Sequence, residues 1–157
     1  MRAVVITVSD RVSTGEAQDI SGPAAATFLD SLGFESEVRV VPDGIESVEG
    51  ALQSAISDDT ALVVTTGGTG MSPRDLTPEA TRRVLSREAP GLAEAMRSAT
   101  FGRNPHGMLS RAVSGVAGTT LVINLPGSVS GVEESLTVIG PALRHAVELI
   151  RGEPTEH

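Results

Sequence analysis

The sequence predicts a layered α/β fold, with helices on both faces of a mainly parallel but mixed sheet. Three observations carry that prediction. Apolar, largely β-branched runs at residues 3–8, 38–41 and 61–66 are each followed by a stretch of helical character, and repeated strand-then-helix order is the pattern of a sheet with crossover helices. Two glycine turns, Gly67-Gly68-Thr69-Gly70 and Pro126-Gly127-Ser128, both stand where a strand ends and a helix begins. Two short strands, 111–116 and 120–124, are joined only by Ala117-Gly118-Thr119, which predicts one antiparallel pair.

The elements follow in order. After strand 3–8, a loop carrying Ser9, Asp10, Arg11 and Gly15 leads to a helix over 23–32, ended by Gly33 as a C′ glycine. Strand 38–41 precedes a helix over 45–56, whose Val48, Leu52 and Ile56 recur every four residues. Asp43-Gly44-Ile45-Glu46 has the spacing of a capping box for that helix. Beyond strand 61–66, Thr77 reads as an N-cap and Pro78 as the first residue of a helix running to about Ser86. A short helix over 92–99, a loop over 101–109 and the antiparallel pair come next. Ser130-x-x-Glu133 is a capping-box signature for a last helix to about Ile150. Residues 1–151 read as a single domain and Gly152 to His157 as a frayed polar tail.

Composition excludes several chemistries. There is no Cys, so thiol nucleophiles, thiolate metal sites and disulfides are absent. All 12 basic residues are Arg, which excludes a Schiff-base lysine and a P-loop ammonium. A net charge of −8, with three Phe and no Trp or Tyr, repels a nucleic-acid backbone and offers few stacking platforms. An anionic ligand must therefore be met locally, by backbone N–H groups, helix N-termini, single Arg residues and a divalent cation. Residues 1–8 are too short for a signal-peptide core and no segment has membrane-spanning length, so the expectation is a cytoplasmic protein that binds neither membrane nor nucleic acid.

The segment from Ala61 to Glu79 is the most informative. A buried strand that empties into glycines, and then into a helix start, places bare N–H groups at the carboxyl edge of a sheet, where α/β proteins bind phosphate-bearing ligands. Arg74 adds a cation for phosphate oxygens and Asp75 a hard oxygen ligand for a metal. No Lys follows the glycines, and the spacing is not GxGxxG, so neither common nucleotide fingerprint applies.

Thr65-Thr66-Gly67-Gly68-Thr69-Gly70 followed by Pro73-Arg74-Asp75-Leu76-Thr77-Pro78-Glu79-Ala80-Thr81 resembles the signature of the molybdopterin-binding family, and Asn124-Leu125-Pro126-Gly127-Ser128 resembles its second signature. Met108-Leu109-Ser110-Arg111, Ser9-Asp10-Arg11 and Val41-Pro42-Asp43 match in the same order. A stand-alone domain of this length is similar to the bacterial Mog-type molybdopterin adenylyltransferases. The resemblance implies a three-layer α/β/α fold, usually trimeric, and a Mg²⁺-dependent reaction of ATP with molybdopterin that releases pyrophosphate ahead of a molybdate-insertion enzyme.

Carried over residue by residue, the resemblance makes Asp75 and Asp43 the catalytic carboxylates, with Mg²⁺ as their metal. Gly67, Gly68, Thr69, Gly70, Arg74, Ser110, Asn124, Pro126, Gly127 and Ser128 become the substrate-binding set. Structural alternatives stand beside several of these. Asp43 also fits a helix cap, Asp75 a favourable charge near a helix start, Asn124 a turn, and Ser110 with Arg111 a solvated strand edge. His106 and His145 have no ligand-spaced partner for a metal. Family members often carry Pro-Lys after the second motif, whereas Val129-Ser130 stands here, so a positive charge is either missing or supplied by an Arg from elsewhere. Retention of both Asp43 and Asp75 favours the enzyme over a molybdopterin-binding protein without transfer activity. Trimer contacts are expected on helix faces around Leu92 to Met96, residues that serve equally well in the monomer core.

Overall fold

The computed structural model describes residues 1–153. Of the apolar runs singled out above, 3–8 and 61–66 lie at its centre as strands β1 (Arg2–Val8) and β3 (Leu62–Thr66) beside β6 (Thr120–Leu125), and in β3 and β6 every residue is buried, whereas the run at 38–41 falls in an edge strand with Val38 and Val40 exposed. Parallel pairing puts Val5 opposite Val64, and Val64 opposite Ile123. The sheet has six strands in the order β2-β1-β3-β6-β5-β4, with β2 at Glu35–Val41, β4 at Arg87–Glu88 and β5 at Ser114–Ala117. β2, β1, β3 and β6 are parallel, whereas β5 runs antiparallel to β6 through the turn at Gly118.

Strand alternation sends successive side chains to opposite faces, and each face has its own core. Ala3, Val5, Leu62, Val64, Leu121 and Ile123 pack under helices α2 (Ser21–Ser31), α5 (Pro90–Ser98) and α6 (Val129–Arg151). Val4, Ile6, Val8, Val63 and Val122 pack under α3 (Ile45–Ser57) and α4 (Thr77–Val84). The result is the three-layer α/β/α arrangement with a mixed sheet. Each fully buried Leu, Ile or Val contributes roughly 1.5–3 kcal/mol. Helix α5 contributes to this core: Ala93 and Met96 are buried and Leu92 and Ala95 are partly buried against it.

Several element ends differ from the sequence expectation. The loop after β1 contains one helical turn, α1 (Asp10–Ser13), capped by Ser9, whose Oγ accepts from Val12 N at 3.3 Å. Asp43 does not cap α3: the N-cap is Gly44, at φ 128°, and no side chain bonds the first amides. Ser128, not Ser130, caps α6, its Oγ accepting from Gly131 N at 3.1 Å. Thr77 is already helical, with Leu76 as the N-cap of α4. The loop at 101–109 ends in a 3₁₀ turn, Pro105–Leu109, and strand β4 was not expected. Gly152 forms the αL cap of α6 and Glu153 N bonds Glu148 O at 2.9 Å, so the first two residues of the expected tail are ordered by the helix end. The rest of that tail lies outside the described residues.

Candidate active site

The site grows from the carboxyl ends of β3 and β6. Gly67 and Gly68 adopt φ of 91° and 66°, conformations that L side chains rarely take. A Cβ on Gly67 would sit 2.5 Å from Val8 O, and one on Gly127 would sit 3.2 Å from Gly67 Cα, so the two glycine turns are pressed together backbone to backbone. Gly70 has no positive φ; its lack of a side chain instead admits Asp75 Oδ2, which would stand 2.9 Å from a Cβ there.

A cleft of about 620 Å³ opens above these turns. Of the expected residues, Gly67, Gly68, Thr69, Gly70, Asp75, Ser110, Pro126, Gly127 and Ser128 line it. The N-terminus of α6 opens onto it as well, adding the positive end of a 23-residue helix to the backbone amides. The opposite wall was not foreseen. Met96, Thr100, Arg103 and His106 come from α5 and the segment after it, and Glu133 and Val138 from α6. Arg97 and Arg103 place two guanidinium groups on that wall. Arg97 is anchored through Ala112 O at 2.8 Å, while Arg103 lies 3.6 Å from Glu134.

Three expected residues do not line the cleft: Asp43, Arg74 and Asn124. Asn124 is fully buried. Its Oδ1 accepts from Val113 N at 3.2 Å, and its Nδ2 donates to Thr65 Oγ1 at 3.0 Å and Thr81 Oγ1 at 2.9 Å. Both N–H donors and the carbonyl oxygen of the amide are thus engaged in joining β6 to β3, α4 and the segment before β5. Arg74 makes a bidentate ion pair with Asp10, Nε to Oδ2 at 2.7 Å and Nη2 to Oδ1 at 3.0 Å, and donates to Asp43 O at 2.9 Å. The guanidinium holds the Asp10 carboxyl below the usual carboxylate range. Arg74 is therefore a tie between loops rather than a cation facing the cleft.

The two candidate metal carboxylates flank the glycine turn. Asp43 Oδ2 accepts from Asp10 N at 2.9 Å, and its Oδ1 would lie 3.4 Å from a Cβ on Gly68. Asp75 Oδ2 accepts from Ser72 N at 2.9 Å. No cluster of three or more His, Cys, Asp or Glu occurs among the described residues. Two carboxylates, each with one oxygen outside any hydrogen bond, suit Mg²⁺, which takes one or two carboxylates and fills its other positions with phosphate oxygens and water. They do not suit zinc.

Residues 4–145 match the model of a family described as a probable molybdopterin binding domain. The chain belongs to this molybdopterin-binding family. Among its relatives, the molybdopterin adenylyltransferase of Helicobacter pylori strain J99 is 38% identical over 152 residues, covering 94% of this chain and 86% of the relative. Gephyrin of Dictyostelium discoideum is 40% identical over 161 residues, and the chain spans only 22% of its length. The crystal structure of the molybdopterin biosynthesis enzyme MoaB from Thermus thermophilus superposes with a TM-score of 0.91 at 44% identity, covering 99% of both chains. That of the Mog protein from Mycobacterium ulcerans gives 0.90 at 45% identity, covering 95% of this chain and 98% of that one.

In this molybdopterin-binding domain the glycine turns were visible in the sequence, because glycine after a β-branched run is a strong local signal. The far wall gave none: residues 99–109 have no period, and only the fold brings them across from Gly67.

Proposed function

We propose that this chain is a molybdopterin adenylyltransferase, transferring AMP from ATP to the terminal phosphate of molybdopterin with release of pyrophosphate. The observation that carries this reading is the meeting of the two glycine turns, Gly67-Gly68-Thr69-Gly70 and Pro126-Gly127-Ser128, on the floor of one cleft with Asp75 in its wall. The names of the relatives that this chain covers most fully support it.

The reaction needs no covalent enzyme intermediate. A phosphate oxygen of molybdopterin forms a bond to the α-phosphorus of ATP as the bond from that phosphorus to the bridging β-oxygen breaks, and the electron pair leaves with pyrophosphate. This chain supplies positioning and charge complementarity. Backbone amides of the glycine turns and the N-terminus of α6 hold phosphate oxygens, and the Met96 and Val138 wall excludes water from one side. Asp75 and Asp43 would hold Mg²⁺, which neutralises charge on the phosphates when bound. No helix among the described residues is long and apolar enough to cross a membrane. The family resemblance extends the proposal to a cytoplasmic homotrimer working upstream of a molybdate-insertion enzyme.

Pyrophosphate release, followed with ATP, Mg²⁺ and molybdopterin, tests the reading; turnover supports it. One observation favours the alternative, a molybdopterin-binding protein without transfer: Asp43 stands off the cleft, engaged with Asp10. Calorimetric binding of molybdopterin without pyrophosphate release would decide for that alternative.

A further inference from the structure

Arg111 does not itself line the cleft, yet its groups converge from behind on the loop that carries Asp75. Its backbone N–H donates to Thr69 O at 2.9 Å, and its Nε donates to Gly70 O at 2.8 Å. One terminal nitrogen, Nη2, donates to Asp75 O, and the other, Nη1, to Glu79 Oε1. A single guanidinium thus holds both ends of the loop from Gly70 to Asp75. Within that loop Ser72 N donates to Asp75 Oδ2, and Asp75 N to Ser72 O, each at 2.9 Å. The Asp75 carboxylate is thereby tied to the main chain of the loop whose ends Arg111 holds.

Glu79 completes the device. It lies in the first turn of α4, one turn beyond Asp75, and pairs with Arg111 through both carboxylate oxygens. The helix is packed into the core through Ala80, so the anchor is rigid. Arg111 in turn sits just before β5, on the opposite side of the sheet connection, and links that segment to α4.

We propose that Arg111, held by Glu79, is a positioning residue that aims Asp75 into the cleft and so sets the response of the site to Mg²⁺. The inference rests on the adenylyl-transfer reading for its kinetic consequence but not for its structural one. A planar fork with five N–H donors can bond Gly70 O, Asp75 O and Glu79 together; an ammonium on a flexible stem has no such geometry. Partners that orient a metal-binding carboxylate typically change affinity or rate by about 10–100-fold when replaced.

The test compares the parent with Arg111→Lys and Glu79→Gln. Expected for Arg111→Lys are a kcat lowered by at least about tenfold, a Mg²⁺ concentration for half-maximal rate raised several-fold, and a KM for molybdopterin within about twofold of the parent. Glu79→Gln shifts the same quantities in the same direction by less. Hydrogen exchange at the amides of Ser72 and Asp75 accelerates in both, and this readout needs no turnover. Loss of thermal stability with unchanged Mg²⁺ response and unchanged amide exchange would mark a merely structural role and overturn the proposal. If Arg111→Lys does not fold, Glu79→Gln decides by the same criteria. If the parent itself releases no pyrophosphate, the adenylyl-transfer reading fails, and the amide exchange still decides whether Arg111 positions the loop.

Discussion

Asp10 and Asp43 bond each other's main chain reciprocally: Asp10 N donates to Asp43 Oδ2 at 2.9 Å, and Asp43 N donates to Asp10 Oδ1 at 3.0 Å. Two carboxylates are brought together without facing each other's charge, because each accepts from a peptide and Arg74 neutralises the outer one. The loop after β1 and the turn after β2 are thereby locked beside the glycine turn.

Asp10→Ala removes the acceptor for Asp43 N and the partner of Arg74 while taking nothing from either hydrophobic core. Pyrophosphate release is expected to fall by about tenfold or more, with little change in the thermal midpoint. Asp75→Asn should cost about a hundredfold or more with the fold intact. Turnover assays paired with calorimetric unfolding measure both. Asp10→Ala with parental turnover would show that the reciprocal pair does not serve the site.

Gly67→Ala forces a Cβ to within 2.5 Å of Val8 O at a φ of 91°. Positive φ alone costs a non-glycine residue of order 1–3 kcal/mol, and the contact with a backbone oxygen adds to it, so urea unfolding should show a loss of at least about 2 kcal/mol. Gly15→Ala, with a φ of 79° and open space around it, is the control and should lose about 1 kcal/mol. Gly70→Val should act differently, displacing Asp75 and weakening ligand binding in calorimetry far more than it lowers stability.

Asn124→Leu strands Val113 N and Thr65 Oγ1 in the interior and leaves Thr81 Oγ1 with Thr77 O alone. Each stranded buried polar group costs about 1–3 kcal/mol, so a total loss of roughly 3 kcal/mol or more is expected from chemical denaturation. A variant as stable as the parent would return Asn124 to the ligand-binding set.

The Arg111 guanidinium holds the Glu79 carboxyl below its usual range, as Arg74 does for Asp10. A carboxylate with a depressed folded-state pKa stabilises the fold above its unfolded pKa, and that contribution disappears as pH falls through the folded value. The stability gap between the parent and Glu79→Gln should therefore be constant from neutrality down to about pH 5, then close below about pH 4. Unfolding curves at stepped pH measure it; a gap that widens on acidification would contradict the assignment.

The parallel strands, the β5–β6 antiparallel pair and the glycine turns were legible because their signals are local: β-branched runs, glycines and a short link; the second antiparallel pair, β4 with β5, was not. What escaped depended on partners remote in sequence. Asn124 at a strand end reads as a turn or ligand residue until Thr65, 59 residues away, claims its amide. Arg74 reads as a phosphate cation until Asp10, 64 residues away, occupies its fork. Asp43 has capping-box spacing to Glu46, yet the same reciprocal pair with Asp10 draws its carboxylate off the helix end, leaving Gly44 as the cap. The part of the wall from Thr100 to His106 belongs to a stretch without hydrophobic period, where only tertiary packing assigns a role.

The reversal of β5 bears on how such a site can be altered. The loops that follow β3 and β6 lead straight into α4 and α6 and press Gly67 against Gly127, so a length change there would pull the two turns apart. The stretch from Ala99 to Ser110 instead enters the sheet ahead of a strand running the other way, and it meets the glycine turn through Arg111 N on Thr69 O. Residues can be inserted or deleted within it while both strand ends stay seated. The segment from Ala99 to Ser110 is thus an exchangeable module set against a fixed glycine floor, and grafting a different segment there would change what lies over the floor without remaking the floor itself.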